Sequence, residues 1–421
     1  MTNAFSIINW RTILARVIDE PIEEELLPGN RLRCFHLTKP DEILDGRFKT
    51  IVKLGFGAGS TVWLAENLNL ESTNSKRIAA AQPSHEGLLC IRTPIDEFNL
   101  AGPNGTHLCF VYKPMRETLF RFQQRLPEQR FAPPYFKFHI YCLLQALDYL
   151  HTECRIIHTN IKDDNIMVTI ENDAVLTDFV SARRKTPQSM HVRAEDGRAT
   201  YLSQGDFGPL RGARLLLQLA DFNLAFPGLD GDLYHLSAIQ SHRFRAPEVL
   251  LGCPWTYSFD IWSFGLLMWN LLEDINLFDR PAGEDDEHDA HIHLAQMVGL
   301  LGDPPEELIK RERLFHNHQF TRPIINSRGK PCKNMNEFWG GPFFDNDNQI
   351  FRKELVEGRT KLADTVTELA GEEKDVFLDL ASSLLQWLPE KRKTARELLQ
   401  HLFLDLLNQD RARYYGTKDI R

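Results

Sequence analysis

The stretch Arg155-Ile156-Ile157-His158-Thr159-Asn160-Ile161-Lys162-Asp163-Asp164-Asn165-Ile166 decides how this chain is read. Upstream of it, Ile140, Leu143, Leu144, Leu147 and Leu150 recur at helical spacing, which predicts a helix over 134–153 with that face in a core. Downstream, Ile166-Met167-Val168 reads as a short apolar strand. The residues between form a polar loop pinned at both ends, and it gathers His158, Asn160, Lys162 and Asn165. An amide cannot take up a proton at neutral pH, so Asn160 is no general base.

Working outward, the composition sets broad bounds. The 421 residues are 43% hydrophobic and 25% charged, ordinary for a folded soluble protein, and suit one large two-lobed domain or two smaller ones. A net charge of −9 argues against a general nucleic-acid surface and suits either basic peptides or plain solubility. The cysteines Cys34, Cys90, Cys109, Cys142, Cys154, Cys253 and Cys332 are scattered without a C-x-x-C pair. That pattern predicts reduced thiols in an intracellular compartment, and neither a disulfide framework nor a zinc site. No stretch approaches the ~18 apolar residues that span a bilayer, so no membrane partner is expected. Arg11 and Arg16 precede the first acid, Asp19, a pattern that fits either a loose N-terminal extension or a mitochondrial presequence.

Residues 19–45 are acidic, then punctuated by Pro28-Gly29, and read as an extended lead-in. Phe48 to Leu54 and Thr61 to Ala65 read as strands joined by Gly55-Phe56-Gly57-Ala58-Gly59-Ser60. Glycines there let the backbone close over phosphates with successive N–H groups facing the oxygens, although a plain hairpin turn needs them too. Residues 66–107 are polar and irregular, with a turn at Gly102-Pro103-Asn104-Gly105, and His107 to Tyr112 is a strand broken by Lys113-Pro114-Met115. Asp260-Ile261-Trp262-Ser263-Phe264-Gly265 opens an apolar helix to Leu272. The loop 280–290 is charged, the region from Leu301 to about 370 irregular, and helices near 373–387 and after Ala395 close the chain. His288, His291 and His293, with Glu287 and Asp289, have poor spacing for a metal site. Ser237 and Ser241 read as ordinary surface serines.

Five motifs occur in one order: the glycine turn, the 158–165 loop, Ala246-Pro247-Glu248, the Asp260–Gly265 stretch, and Pro389-Glu390-Lys391-Arg392-Lys393-Thr394-Ala395. Together they resemble a eukaryotic protein kinase from residue 46 to about 405. The resemblance implies an α+β, two-lobed fold: an extension over 1–45, a β-rich lobe with hinge over 46–115, a helical lobe over 116–405 and a tail over 406–421. Within the helical lobe it places an insertion at 170–215 and an insert region at 280–370. It implies ATP and Mg2+ as cofactors, with Leu54, Gly55, Gly57, Ser60, Val62, Tyr112 and Met115 contacting the nucleotide. Tyr112 takes the gatekeeper place. Asn160 takes the base position, Lys162 faces the transferring phosphoryl group, and Asn165 is a metal ligand. Glu248 pairs with Arg392, and Asp260 braces the loop.

Two Asp-Phe pairs compete for the second metal position. Asp178-Phe179-Val180 follows Asn165 at the ordinary spacing; Asp221-Phe222-Asn223 follows the apolar run Leu215 to Ala220. Asp221 is preferred on its downstream context, because Asp196 to Ser203 resembles an insertion that carries a decoy Asp-Phe. Finer stretches, 54–65, 91–109, 158–162 and Leu300 to Pro305, resemble the SR-protein kinase branch in its divergent fungal form. That implies an Arg/Ser-rich protein partner, no direct nucleic acid, and a cytoplasmic or nuclear location. Thr159 replaces the usual arginine, so control through an activation-loop phosphate on that arginine is not expected.

Two departures weigh on activity. Asn160 stands where a carboxylate belongs, and no V-A-x-K lysine follows Ala65. The third strand and most of the next helix read as deleted, and Lys76 is the lysine left before the hinge. Loss of a general base costs ~10²–10⁴-fold, and loss of an electrostatic donor ~10²–10³-fold. The expectation is a serine/threonine kinase relative with catalysis impaired or lost, a pseudokinase in type, with nucleotide binding retained or not. The alternatives are a non-catalytic scaffold for basic or SR-type peptides, and an active kinase with compensating residues.

Overall fold

The structure is a computed structural model, and it describes residues 16–29, 31–68, 84–102, 104–212, 215–229, 234–237, 239, 242–278, 288–326, 328–356, 361–405 and 407. The fold is α+β and divides into two compact units. The first takes Met1–Ala79, Thr93–Glu117 and Thr169–Leu215; the second takes Ala80–Arg92, Thr118–Val168 and Leu216–Arg421. The insertion therefore clusters with the small unit, where the sequence reading had placed it in the large one.

The physical reason lies in the first unit's hairpin. The unit's strands ahead of the insertion include β1 (Val17–Ile18), β2 (Ile43–Leu44), β3 (Phe48–Phe56), β4 (Thr61–Asn67), β5 (Asp96–Gly102) and β6 (Gly105–Val111). β3 and β4 pair antiparallel from Phe48↔Asn67 to Phe56↔Thr61, and Gly57 N donates to Ser60 O at 2.8 Å across the turn. Val52 on β3 and Leu64 on β4 are only 2% and 5% exposed, because they pack against Val175, Phe179 and Phe207 of the insertion. Val175 and Phe179 lie on an inserted helix, Asp173–Lys185, with Leu176 and Val180 completing an apolar stripe at i, i+1, i+4, i+5. Asn172 caps this helix by accepting from Ala174 N at 3.1 Å and Val175 N at 3.3 Å, and Arg183, Arg184 and Lys185 complement the dipole at its end. Burial of each large apolar side chain contributes about 1.5–3 kcal/mol, so the hairpin's apolar face selects the helix that covers it.

Two expectations for the first unit are corrected. Residues 19–45 are not a free extended lead-in. They form short 3-10 turns at Glu23–Leu26 and Arg31–Cys34, and β1 pairs in parallel with Met190–Val192 of the insertion. The register shift between Lys53 and Gly55 accompanies a buried Lys53, whose ammonium donates to Glu23 at 2.6 Å, to Glu24, and to Tyr201 O at 3.0 Å. A buried ammonium must be paired, and the acidic triplet supplies the counter-charges. Glu23 also accepts from the Ser203 hydroxyl at 2.8 Å, and Glu25 pairs with His191 at 2.8 Å. The second correction is β5, which lies within a stretch read as irregular. It pairs with β6 from Asp96↔Val111 to Gly102↔Gly105, with Phe98 stacked on Phe48 at 5.4 Å.

The second unit holds the main core. The long helix Pro133–Tyr149 buries Ile140, Leu143, Leu144 and Leu147, then loosens into one π-helical turn, Leu150–Cys154, closed by a left-handed Arg155 (φ 52°). Helix Ser258–Glu273 is buried nearly all round, with Trp262, Trp269 and Leu271 in the interior. The region from Leu301 onward is less irregular than expected, because helices Ala290–Leu301 and Glu306–Phe315 flank Gly302 to Pro305. The helix expected at 373–387 spans Gly371–Ser382. No helix among the described residues is long and apolar enough to cross a membrane.

Candidate functional site

In the second unit, two short strand pairs build the polar loop. Ile156–Ile157 pairs with Phe226–Pro227, and Ile166–Thr169 pairs with Leu217–Leu219, Leu219 opposite Ile166. The second pairing brings Asn165 and Asp221 to one end of the ladder, where Ala220 N donates to Asn165 O at 2.8 Å. Ala220 O lies 2.9 Å from His158 Nε2, and a carbonyl can only accept, so Nε2 carries the proton. Nδ1 then accepts from Asn160 N at 3.3 Å, which makes the ring neutral. Burial pushes its pKa down, in agreement.

Asp260 ties the loop to helix Ser258–Glu273. Its Oδ2 accepts from His158 N at 2.7 Å and its Oδ1 from Thr159 N at 2.8 Å, with His151 Nε2 3.0 Å from Oδ2. Thr159 is held left-handed at φ 66°, and its hydroxyl donates to Leu224 O at 2.7 Å. Asn165 Nδ2 donates to Asn160 O at 2.8 Å, which leaves the amide oxygen of Asn165 as its acceptor end. Asp221 is also left-handed (φ 63°), and its carboxylate is exposed. One carboxylate and one amide oxygen at the end of a ladder are hard donors of the kind Mg2+ takes. Lys162 Nζ lies 3.6 Å from Asp164, and burial together with Asp164 raises the Asp163 pKa. Asn160 Oδ1 is buried without a hydrogen-bond partner among the described residues. The scaffold is closed by Glu248 and Arg392, joined by two 2.7 Å bonds with both side chains fully buried.

Asp178, the other Asp-Phe candidate, sits on the inserted helix in the first unit and pairs with Arg211, while Phe179 is core. Also in the first unit, Gly55 and Gly59 face open space, so the turn has room for an anion. Leu54 packs against the inserted-helix cluster, Val62 is 43% exposed, Ser60 closes the turn, and Tyr112 is half-buried. Met115 is buried, and the next residue, Arg116, is 2% exposed. Arg116 donates from Nη1 to both Glu171 oxygens at 2.8 and 2.7 Å and from Nη2 to Gly208 O. Sequence reading missed Arg116 and Glu171, because nothing local marks a pair 55 residues apart. Lys76 lies outside the described residues.

The histidine cluster resolves differently. His288 lies 3.1 Å from Arg245 and 3.3 Å from His293, and Arg245 stacks 4.0 Å over Trp339. Burial pushes the Arg245 guanidinium down to about 9. Among the described residues no group of three His, Cys, Asp or Glu could hold a metal ion, and a guanidinium beside His288 repels one. Ser237 O accepts from Trp255 Nε1 at 3.0 Å; Ser241 and Glu287 lie outside the described residues.

Comparison with known proteins gives a consistent result. Residues 97–204 and 210–404 match the family described as protein kinase domain. A serine/threonine protein kinase of Aspergillus fumigatus is 31% identical over 397 residues, covering 90% of this chain and 89% of the relative. The serine/threonine-protein kinase SRPK of Physarum polycephalum is 28% identical over 413 residues, covering 88% of each. Protein kinase dsk1 of Schizosaccharomyces pombe is 26% identical over 409 residues, covering 71% of this chain and 73% of the relative. A crystal structure of a kinase domain superposes with a TM-score of 0.56 at 20% identity, covering 87% of this chain and 98% of that one.

Proposed function

The chain belongs to the protein kinase family, and from that premise we propose that it is an SR-protein-kinase-like member that takes up Mg-ATP but transfers phosphate poorly or not at all. The observation that carries this reading is Asn160, an amide in a loop whose bracing by Asp260 and whose Asn165 and Asp221 oxygens are otherwise assembled. Asn165 and Asp221 would hold the cation, which when bound neutralises charge on the phosphate oxygens. Lys162 supplies a positive charge to the transferring group. Asn160 orients a hydroxyl through its amide and takes no proton from it. The partner that the named relatives support is a protein rich in Arg and Ser.

The test is thermal stability of the full chain titrated with Mg-ATP, with Asp221→Ala as control. A saturable upward shift that the control lacks supports the reading. No shift in folded protein overturns it and favours a second reading, a non-catalytic binding module. The buried Glu248–Arg392 pair supports that alternative, because the helical unit keeps its scaffold without any nucleotide chemistry.

A further inference from the structure

We propose that the inserted helix Asp173–Lys185 is an intramolecular competitor of the nucleotide, occupying the apolar surface that a bound base needs. The inference rests on the reading that Mg-ATP binds at Leu54 and Met115.

Two observations in the first unit carry it. Leu54, the residue before the glycine turn, packs against a cluster that includes Val175 and Phe179 of the helix. Val62, on the far side of the turn, stays 43% exposed. The helix therefore covers the root of the hairpin and leaves its tip open. At the hinge, Arg116 follows Met115 directly and grips the insertion on both flanks of the helix, at Glu171 and at Gly208 O. The insertion is thus fastened beside two of the residues that the nucleotide would contact, Leu54 through the shared apolar cluster and Met115 through its neighbour.

The helix is also built to leave. Its outer ion pairs, Arg184–Glu66 and Arg211–Asp178, are at least 40% exposed on every side chain, and such surface pairs contribute little. The helix itself is held by the short stripe of Val175, Leu176, Phe179 and Val180 and by Arg183, which donates to Gln204 Oε1 at 2.7 Å, while Arg116 fastens only the segments that flank it. A binding-competent fraction of about one in ten to one in a hundred weakens apparent affinity by about 10- to 100-fold.

The experiment is hydrogen exchange of the wild-type full chain with and without saturating Mg-ATP, together with calorimetric titration of wild type and Phe179→Ala. Competition predicts that Mg-ATP speeds exchange of the amides over 176–185, and that Phe179→Ala binds Mg-ATP about 10-fold more tightly. Binding by the wild type with unchanged or slowed exchange in the helix overturns the competition while leaving the nucleotide reading intact. Failure of both proteins to take up Mg-ATP overturns the nucleotide reading, and the competition with it. The wild-type exchange result decides the matter even if the variant does not fold.

Discussion

At position 160 the backbone makes two contacts that place the side chain, a bond from its N–H to His158 Nδ1 and one from Asn165 Nδ2 to its carbonyl. The side-chain oxygen is left buried and without a hydrogen-bond partner among the described residues. A carboxylate has the same shape and adds the missing proton acceptor. Asn160→Asp is therefore expected to raise phosphoryl transfer from Mg-ATP to an Arg/Ser peptide by about 10²-fold or more, measured by radiolabel incorporation. An unchanged rate would show that the base was not the limiting loss. A second residue governs acid sensitivity. His139 is buried against Phe131 and Phe138, and burial pushes its pKa from 6.5 down to about 4. Because the unfolded chain binds the proton more tightly, its contribution is complete above pH 6.5 and is lost as pH falls toward 4. The loss amounts to roughly 3 kcal/mol. Urea midpoints of His139→Phe are expected to decline less between pH 7 and 4 than those of wild type.

Among the elements, β3 shows best how local and distant information divide. Its pairing with β4 and the turn between them were legible, because strand alternation and glycine punctuation are local; the register, with its two shifts, was not. The polar loop was legible too, since His158, Asn160, Lys162 and Asn165 lie within eight residues of one another. Lys53 was not, because its partners Glu23 and Glu24 lie about thirty residues upstream and its inward turn accompanies a register shift. The inserted helix was met only as a rival Asp-Phe motif, since Phe179 becomes core only when Val52 and Leu64 face it. Helix Glu306–Phe315 does carry a signal inside the region expected to be irregular from Leu301: two prolines followed by two acids mark a helix start. Lys53→Met tests the buried cluster. It leaves two buried carboxylates without their cation and is expected to destabilise the first unit by about 3–5 kcal/mol. Adding Glu23→Gln and Glu24→Gln should recover most of that in urea denaturation. A neutral single variant would mean that the carboxylates find water.

For the molecule as a whole, the small unit is assembled from three separate stretches of chain, and the third, 169–215, supplies the apolar partner of the first. The second unit has its own interior around Trp255, Trp262 and Trp269. Removing the insertion should therefore act on one unit alone. The deletion can be closed without strain, because a Cβ at Gly212 would lie 3.8 Å from Glu171 Cβ, and a few glycines suffice to join the ends. In that variant Val52 and Leu64 lose their cover, β1 loses Met190–Val192, and Glu23 and Glu25 lose Ser203 and His191. Hydrogen-exchange protection across Phe48–Asn67 is expected to fall, because β2 and the Phe98 ring stay as partners of the hairpin but its Val52 and Leu64 face is bare. Near-ultraviolet dichroism, dominated by the buried tryptophans of the second unit, should keep its folded form. If β3 and β4 stay protected, some other part of the chain covers them and the insertion is an ornament. If the tryptophan signal collapses as well, the two units fold as one cooperative body, and the insertion supports both.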